Sequence, residues 1–104
     1  MYACNISMHL RANSAREFAR ALQQDVLPML RKQSGFTDGI SFVAADCRDA
    51  MAISLWERQE DADAYNRDVY PKVLRSLAKV VEGTPRIEAY EVSNSTFHEI
   101  GSKN

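Results

Sequence analysis

Four side chains in this sequence have the chemistry to bind or convert a small molecule. Trp56 offers a flat indole face with one N–H donor, and Tyr65 offers a phenol that can donate a hydrogen bond to a ligand oxygen. Arg75 is a cation that could hold an anionic substrate. His9 carries an imidazole, the side chain that ordinarily titrates nearest to neutral pH, and it is the candidate general base. These four residues are the candidate catalytic site.

Each candidate also has a purely structural interpretation. Trp56 could pack against a sheet edge or a dimer contact, and Tyr65 could donate to a backbone carbonyl. Arg75 could be a solvated residue on a lysine-bearing helix, and His9 could line an interface with a fixed hydrogen bond. Residue type alone does not decide between these alternatives.

Alternating patterns place His9 and Trp56 on β-strands. In the first strand an apolar row alternates with a polar row: Cys4, Ile6, Met8 and Leu10 against Asn5, Ser7 and His9. A second strand is expected from Phe36, with a bulge near Gly39, and a hairpin turn over 46–49. The third strand again has two rows: Met51, Ile53 and Leu55 against Ala52, Ser54 and Trp56. Trp56 is therefore expected on the sheet face opposite the aliphatic row.

Helical spacing predicts one helix before the second strand. Ser14 and Glu17 form a capping-box pattern, and apolar residues recur every three to four positions to about Gln33. Pro28 should kink this helix or divide its last turn from the rest, since proline lacks an N–H donor. Gly35 should supply the left-handed stop.

A second helix carries Tyr65 and Arg75. Its first turn is acidic, which suits the positive end of the helix dipole, and a break is expected at Tyr70–Pro71. The helix then resumes and ends before Gly83. The last strand is predicted from Thr84 to about Val92, followed by a polar C-terminal arm over about 93–104.

The order strand, helix, strand, strand, helix, strand predicts an α+β, ferredoxin-like fold. In this βαββαβ arrangement two helices cover one face of a four-stranded antiparallel sheet. The other face is left bare, and its aromatic residues suggest that a second copy of the chain covers it. Asn5, Ser7, His9, Ser41 and Ser54 are expected to form a polar patch on one sheet face.

Three local motifs, together with the element order, resemble the antibiotic biosynthesis monooxygenase-like family of dimeric α+β barrels. The motifs are the segment 27–36, which is a helix end running into Gly35-Phe36; the segment 53–57, which ends a strand on Trp56; and Ala62-Asp63-Ala64-Tyr65. The resemblance extends from Asn5 to Val92 and implies a homodimer. The family includes cofactor-independent oxygenases, haem-degrading oxygenases and proteins without an assigned reaction, so it implies the fold more firmly than the activity.

The resemblance carries over to site residues one at a time. In the haem-degrading relatives the site has an Asn on the first strand, an aromatic residue on the second helix and a His ligand on that helix. Asn5 and Tyr65 lie near the first two positions, but Arg75 stands near the third, so no axial ligand is available and no cofactor is expected. The cofactor-independent oxygenases are more similar, with a Trp at the Trp56 position and an Arg near Arg75. They imply a pocket that deprotonates a phenolic substrate and stabilises the anion.

Composition excludes several classes of function. The chain has 104 residues, 45% hydrophobic and 26% charged, in the range of an ordinary globular domain, and we expect one domain over 1–104. With 13 basic and 14 acidic residues the net charge is -1, which does not indicate binding to nucleic acid or an anionic membrane. Cys4 and Cys47 are far apart and without metal-ligand spacing, which disfavours structural zinc and disulfides and favours the cytoplasm. The N-terminal residues do not resemble a signal peptide.

Two functional hypotheses remain open. The first is a cofactor-independent monooxygenase-like enzyme that acts on a small aromatic or polyketide-type compound in a pocket between sheet and helices. The second is a non-enzymatic dimeric module that binds a small apolar ligand or has a structural role. A formed pocket that brings together Trp56, Tyr65 and Arg75 would favour the first, and a filled interior would favour the second.

Overall fold

A computed structural model describes residues 1–96 and contains one four-stranded antiparallel sheet with helices on one face. The strands lie side by side in the order β2-β3-β1-β4, and they are β1 (Tyr2–Leu10), β2 (Phe36–Val43), β3 (Asp49–Trp56) and β4 (Val81–Glu91). The helical segments are α1 (Ala15–Ala21), a π turn (Leu22–Val26), α2 (Leu27–Arg31), α3 (Gln59–Asp68) and α4 (Tyr70–Leu77). The predicted ferredoxin-like α+β fold is confirmed.

The first helical region is divided near Pro28, as predicted. Because proline has no N–H, the carbonyl four residues earlier loses its α-helical donor, and the π turn before α2 accommodates the change. The predicted capping box at Ser14 is wrong. The Ser14 hydroxyl makes no cap bond and instead donates to the Ala12 carbonyl at 3.4 Å.

The second helical region breaks one residue earlier than predicted. Val69, with φ of -114°, separates α3 from α4, and Pro71 lies in the first turn of α4, where an N–H has no intrahelical partner. The predicted continuation of the helix as far as Gly83 is also wrong, since α4 ends at Leu77 and β4 begins at Val81. Gly83 lies inside β4 at φ of +73°, beside a register shift in the pairing of β1 with β4. Glycine adopts the positive φ that this bulge requires, so the strand continues through Gly83. As a result β4 begins at Val81, three residues before the predicted start at Thr84.

Gly35 ends the first helical region in the left-handed conformation, with φ of +79°. A Cβ at this position would collide with the carboxylate of Asp61 on α3. The expected irregularity in β2 is present as a register shift between Phe36 and Asp38. Together these features fix the angle at which the chain enters the sheet edge.

Antiparallel register sorts the strand residues into two faces. The helix-covered face carries most of the buried core, and its strand residues include Cys4, Ile6, Met8, Leu10, Ala50, Ser54 and Trp56. The open face carries the alternate residues, among them the exposed apolar side chains of Ile40, Phe42, Met51 and Tyr90. The two faces therefore differ in both burial and chemistry.

Within residues 1–96, no helix is both long enough and apolar enough to cross a bilayer. Residues 92–96 form neither helix nor strand. The remainder of the predicted C-terminal arm, including His98, lies outside the described residues.

Candidate functional site

A cavity of about 100 Å³ lies between the covered sheet face and the helices, beside the edge strand β2. Most of its walls are aliphatic. The lining residues are Ile6, Met8, Leu22, Val26, Leu27, Leu30, Gly39, Ile40, Ser41, Ala52, Ile53, Ser54, Tyr65, Val73 and Leu77. None of these side chains carries a charge, so polar recognition in the cavity depends on hydroxyl groups.

Tyr65 reaches this cavity from α3. Its side chain is 2% exposed, and its hydroxyl makes no hydrogen bond with any residue in the range 1–96. Burial raises the pKa of the Tyr65 phenol far above its usual value, with smaller contributions from Tyr70 and Cys4. The group therefore keeps its proton at physiological pH and acts as a hydrogen-bond donor.

Trp56 is completely buried at the end of β3, behind the cavity rather than on its wall. Its ring centroid lies 5.0 Å from that of Tyr65 and 5.5 Å from that of Phe36. The indole Nε1 donates to the Ser54 Oγ at 2.9 Å. Trp56 thus contacts two cavity residues, Tyr65 and Ser54, without itself lining the cavity.

The predicted polar patch is wrong for two of its members, Ser41 and Ser54. Both were expected on one face with Asn5, Ser7 and His9, but Cys4 opposes Ser54 while Asn5 opposes Ile53. Ser41 opposes Ala52, which lies on the same face as Ser54. Ser54 therefore lies on the covered face, where it is buried. The sequence did contain a pattern that places Ser54 correctly. Ser54 and Trp56 are two residues apart on one strand, so their side chains share a sheet face.

Arg75 lies on α4 and is exposed to solvent. It does not line the cavity, and it forms no ion pair within the described part of the chain. The structure therefore brings Tyr65 and Trp56 together but places Arg75 apart from them. A role for Arg75 in ligand binding stays a prediction.

His9 lies on the open face, away from the cavity. Its Nδ1 is 2.6 Å from a carboxylate oxygen of Asp49, directly across the strand pair, and its side chain is 73% exposed. It borders a second, shallow hollow of about 410 Å³ on the open face, together with Arg86 and Thr84. His9 is thus separated from Tyr65 by the sheet, and its role as a base also stays a prediction.

The three positions suggested by the haem-degrading relatives do not converge. Asn5 opposes Ile53 on the open face, Tyr65 lines the cavity on the covered face, and Arg75 faces solvent. Across residues 1–96, no group of three or more His, Cys, Asp or Glu side chains is arranged to hold a metal ion. The Asn5 amide oxygen is buried without a hydrogen-bond partner in this part of the chain.

The chemistry available in the cavity is that of neutral hydrogen-bond donors in apolar surroundings. The hydroxyls of Ser41, Ser54 and Tyr65 can donate to an oxygen atom of a bound molecule, and the aliphatic walls can enclose its carbon skeleton. The lining offers no carboxylate or imidazole to act as a base.

A scan against protein-family models gave no match, and no curated protein matches the chain. Solved structures, in contrast, match nearly the whole chain. The cofactor-independent oxygenase SnoaB from Streptomyces nogalater superposes with a TM-score of 0.74 at 10% identity, covering 91% of this chain and 95% of that one. A monooxygenase from the gene ActVA-Orf6 of Streptomyces coelicolor, in complex with the ligand nanaomycin D, gives 0.75 at 13% identity, covering 94% and 92%.

The same architecture occurs in the protein of unknown function NE2512 from Nitrosomonas europaea. Its TM-score is 0.74 at 16% identity, with 91% of each chain covered. At such identities the likeness shows the fold alone. The fold is that of the antibiotic biosynthesis monooxygenase-like proteins, as the sequence motifs suggested.

Proposed function

We propose that this chain is a homodimeric, cofactor-independent monooxygenase-like protein that binds a small aromatic or polyketide-type compound in the cavity between sheet and helices. The observation that carries the proposal is the cavity itself, which is apolar, lies on the helix-covered face and presents the Tyr65 hydroxyl. The fold shared with SnoaB and with the ActVA-Orf6 monooxygenase supports it.

The aliphatic lining suits a flat hydrocarbon skeleton, because moving apolar surface out of water contributes roughly 25 cal/mol per Å² to binding. Cavities of similar size, about 150 Å³, bind a single benzene ring. At about 100 Å³ this cavity is smaller than that, so one ring would fill it, and a larger polycycle would extend beyond it.

The proposed reaction needs no electron donor other than the substrate. A phenol or anthrone gives up two hydrogen atoms, and one ring carbon gains an oxygen atom of O₂ as a carbonyl. The second oxygen atom leaves as water with those two hydrogens. In this reaction Tyr65 would donate a hydrogen bond to the substrate oxygen, a type of interaction often worth a few kcal/mol in a transition state.

Oxygen consumption tests the enzymatic proposal. The purified protein is incubated with oxidisable ring compounds of one to three rings, phenol, 1-naphthol and anthrone, and oxygen uptake is followed with quinone formation by absorbance. Uptake above the protein-free rate, reduced in Tyr65→Phe but retained in Tyr70→Phe, supports the proposal. Tyr70 is a matched control, because it is also buried, lies 6.4 Å from Tyr65 and does not line the cavity.

A non-enzymatic binding role is the second candidate, and one observation favours it. The cavity lining lacks an ionisable base, whereas oxidation of a phenol requires that a proton be removed. A ring compound that binds with unchanged oxygen uptake would select the binding module over the enzyme.

We also propose that the open sheet face forms the homodimer. Ile40, Phe42 and Tyr90 are about half exposed there, an arrangement that disfavours an isolated chain in water. Obligate interfaces commonly bury 2,000 Å² or more in total, and the face of a four-stranded sheet has the extent to supply a large part of it. Both cysteines, Cys4 and Cys47, are free thiols, which is compatible with the proposed cytoplasmic location.

A further inference from the structure

We propose that Ser54 and Tyr65 donate hydrogen bonds to one carbonyl oxygen of a neutral ring compound in the cavity, and that Trp56 is the positioning residue that orients Ser54. The inference rests on the proposed function, because it requires the cavity to take up a small molecule. It adds the class of ligand, a hydrogen-bonding role for Ser54 and a positioning role for Trp56, which the fold does not specify.

Ser54 has one unused hydrogen-bond donor. Its hydroxyl oxygen accepts the Trp56 indole N–H at 2.9 Å, and its own O–H donates to none of the residues from 1 to 96. A serine hydroxyl has one donor and two acceptor positions. Because the buried indole occupies an acceptor position, the hydroxyl is held in place while its proton stays available to the cavity that Ser54 lines.

Tyr65 supplies the second donor on an immobilised ring. Its ring packs between those of Trp56 and Tyr70, with centroid distances of 5.0 and 6.4 Å. The fully buried unpaired side-chain atoms within residues 1–96 are the amide oxygens of Asn5 and Asn66. The Tyr65 hydroxyl is also without a hydrogen-bond partner in residues 1–96, and Tyr65 is one of the residues that line the cavity. Contact with two other buried rings restricts the directions in which the Tyr65 hydroxyl can point.

The lining selects against both charged and purely hydrocarbon ligands. An anion would leave water without meeting a cationic side chain, and that desolvation is costly. A hydrocarbon would fill the volume but leave both hydroxyls without partners. A neutral ring with a carbonyl oxygen avoids both penalties, because a carbonyl accepts two hydrogen bonds through its two lone pairs.

The test measures how the protein distinguishes three compounds that share one ring: benzaldehyde, styrene and benzoate. Styrene replaces the carbonyl oxygen of benzaldehyde with a CH₂ group, and benzoate adds a negative charge. Affinities are measured by calorimetry for every variant, and also by fluorescence of Trp56, the single tryptophan of the chain, in the variants that retain it. The quantity compared among variants is the ratio of benzaldehyde affinity to styrene affinity.

We expect Ser54→Ala and Tyr65→Phe each to lower this ratio about five- to tenfold, the value of one hydrogen bond. Styrene affinity should not fall in either variant, and it should rise where the removed hydroxyl had been left without a partner. Trp56→Phe should lower the ratio less, because it removes the N–H that orients Ser54 but keeps the ring beside Tyr65. Ser54→Thr, which keeps the hydroxyl, should preserve the ratio. Tyr70→Phe and Ser76→Ala are matched controls outside the cavity lining and should leave it unchanged.

The outcomes separate this inference from the function on which it rests. If neither neutral compound binds the wild-type protein, both proposals are overturned. If both bind but Ser54→Ala and Tyr65→Phe leave the ratio unchanged, the inference is wrong and the binding cavity stands. Benzoate binding as tight as benzaldehyde binding would overturn the selection for neutral ligands. Far-UV circular dichroism identifies any variant that fails to fold, and the Tyr65→Phe measurement then decides.

Discussion

The two faces of the sheet are built from alternate residues of the same strands, yet they present opposite surfaces. On the covered face, Ser54 and Trp56 of β3 are buried and joined by a hydrogen bond, next to an uncharged cavity. On the open face, Met51 of the same strand is 37% exposed, and His9 pairs with Asp49 in solvent. A strand of eight residues can thus serve a ligand cavity and a candidate interface at once, because its side chains alternate.

Of the substitutions considered, truncation of Trp56 should lower the free energy of unfolding the most. Trp56→Ala removes a fully buried indole, and we expect it to lower the free energy of unfolding by about 3–5 kcal/mol. Met51→Ala, on the open face, should cost less than about 1 kcal/mol when it is made in the monomeric Phe42→Lys variant described below, because Met51 is 37% exposed in a single chain. Urea denaturation at one fixed protein concentration measures both values, and equal losses would contradict the difference between the faces.

A charge on the open face should separate the two chains of the proposed dimer. The wild-type protein should scatter light as about twice 11.7 kDa at micromolar concentration. Phe42→Lys places a cation on the edge strand β2, opposite Met51 in the apolar part of the open face, and should weaken association by about 2 kcal/mol or more. The variant should then scatter as a monomer with the same circular dichroism. A monomeric wild-type protein would show that the open face is not a dimer interface.

High pH should destabilise the covered face through Tyr65. Burial raises the pKa of its phenol in the folded protein above the ordinary value of 10.0. Below pH 10 both states hold the proton, so the stability contribution is fully present. Above that pH the unfolded chain ionises first, and stability falls by up to about 1.4 kcal/mol per pH unit for this group.

Unfolding measured by urea between pH 8 and 11 tests this dependence. Tyr65→Phe should flatten the alkaline limb of the stability curve, because phenylalanine does not ionise. Tyr90→Phe is the comparison from the open face. Desolvation and the nearby Glu88 raise the pKa of the Tyr90 phenol as well, but that side chain is 52% exposed, so the variant should flatten the alkaline limb less than Tyr65→Phe. An alkaline limb that is the same in wild type and Tyr65→Phe would contradict the assignment.

Arg75→Ala should have the smallest effect. Its side chain lies in solvent outside the cavity, so we expect a change of less than about 0.5 kcal/mol in the free energy of unfolding. The position also predicts unchanged ring-compound affinity, whereas the family resemblance predicts that affinity falls. Calorimetry on the same ring compounds decides between these two expectations for Arg75.

Local patterns predicted much of the fold. Alternation located β1 and β3 and placed Trp56 opposite the row of Met51 and Leu55, and Pro28 marked the division of the first helical region. The errors arose where two local rules competed. Gly83 suits a helix stop and a strand bulge equally well in sequence, and pairing of Val81 with Leu10 decided for the strand.

For a similar reason, the sequence predicted which residue types belong to the candidate site but not where all of them lie. Tyr65 and Trp56 could be recognised by residue type, and they do lie in contact. Ser54 was identified as polar but assigned to the wrong face, since the face of a strand residue relative to other strands depends on pairing register. Arg75 could be recognised as a cation, but its direction on α4 depends on how that helix rests on the sheet.

The sequence by itself determined the order of elements, the alternation of each strand and the neutral overall charge, because these depend on neighbouring residues and on composition. Tertiary structure alone decided that Ser54 shares a cavity with Tyr65, that His9 lies across the sheet from both, and that the cavity lining is uncharged. These relations join residues distant in the chain, and they follow from strand register and helix packing, which no local pattern of side chains encodes.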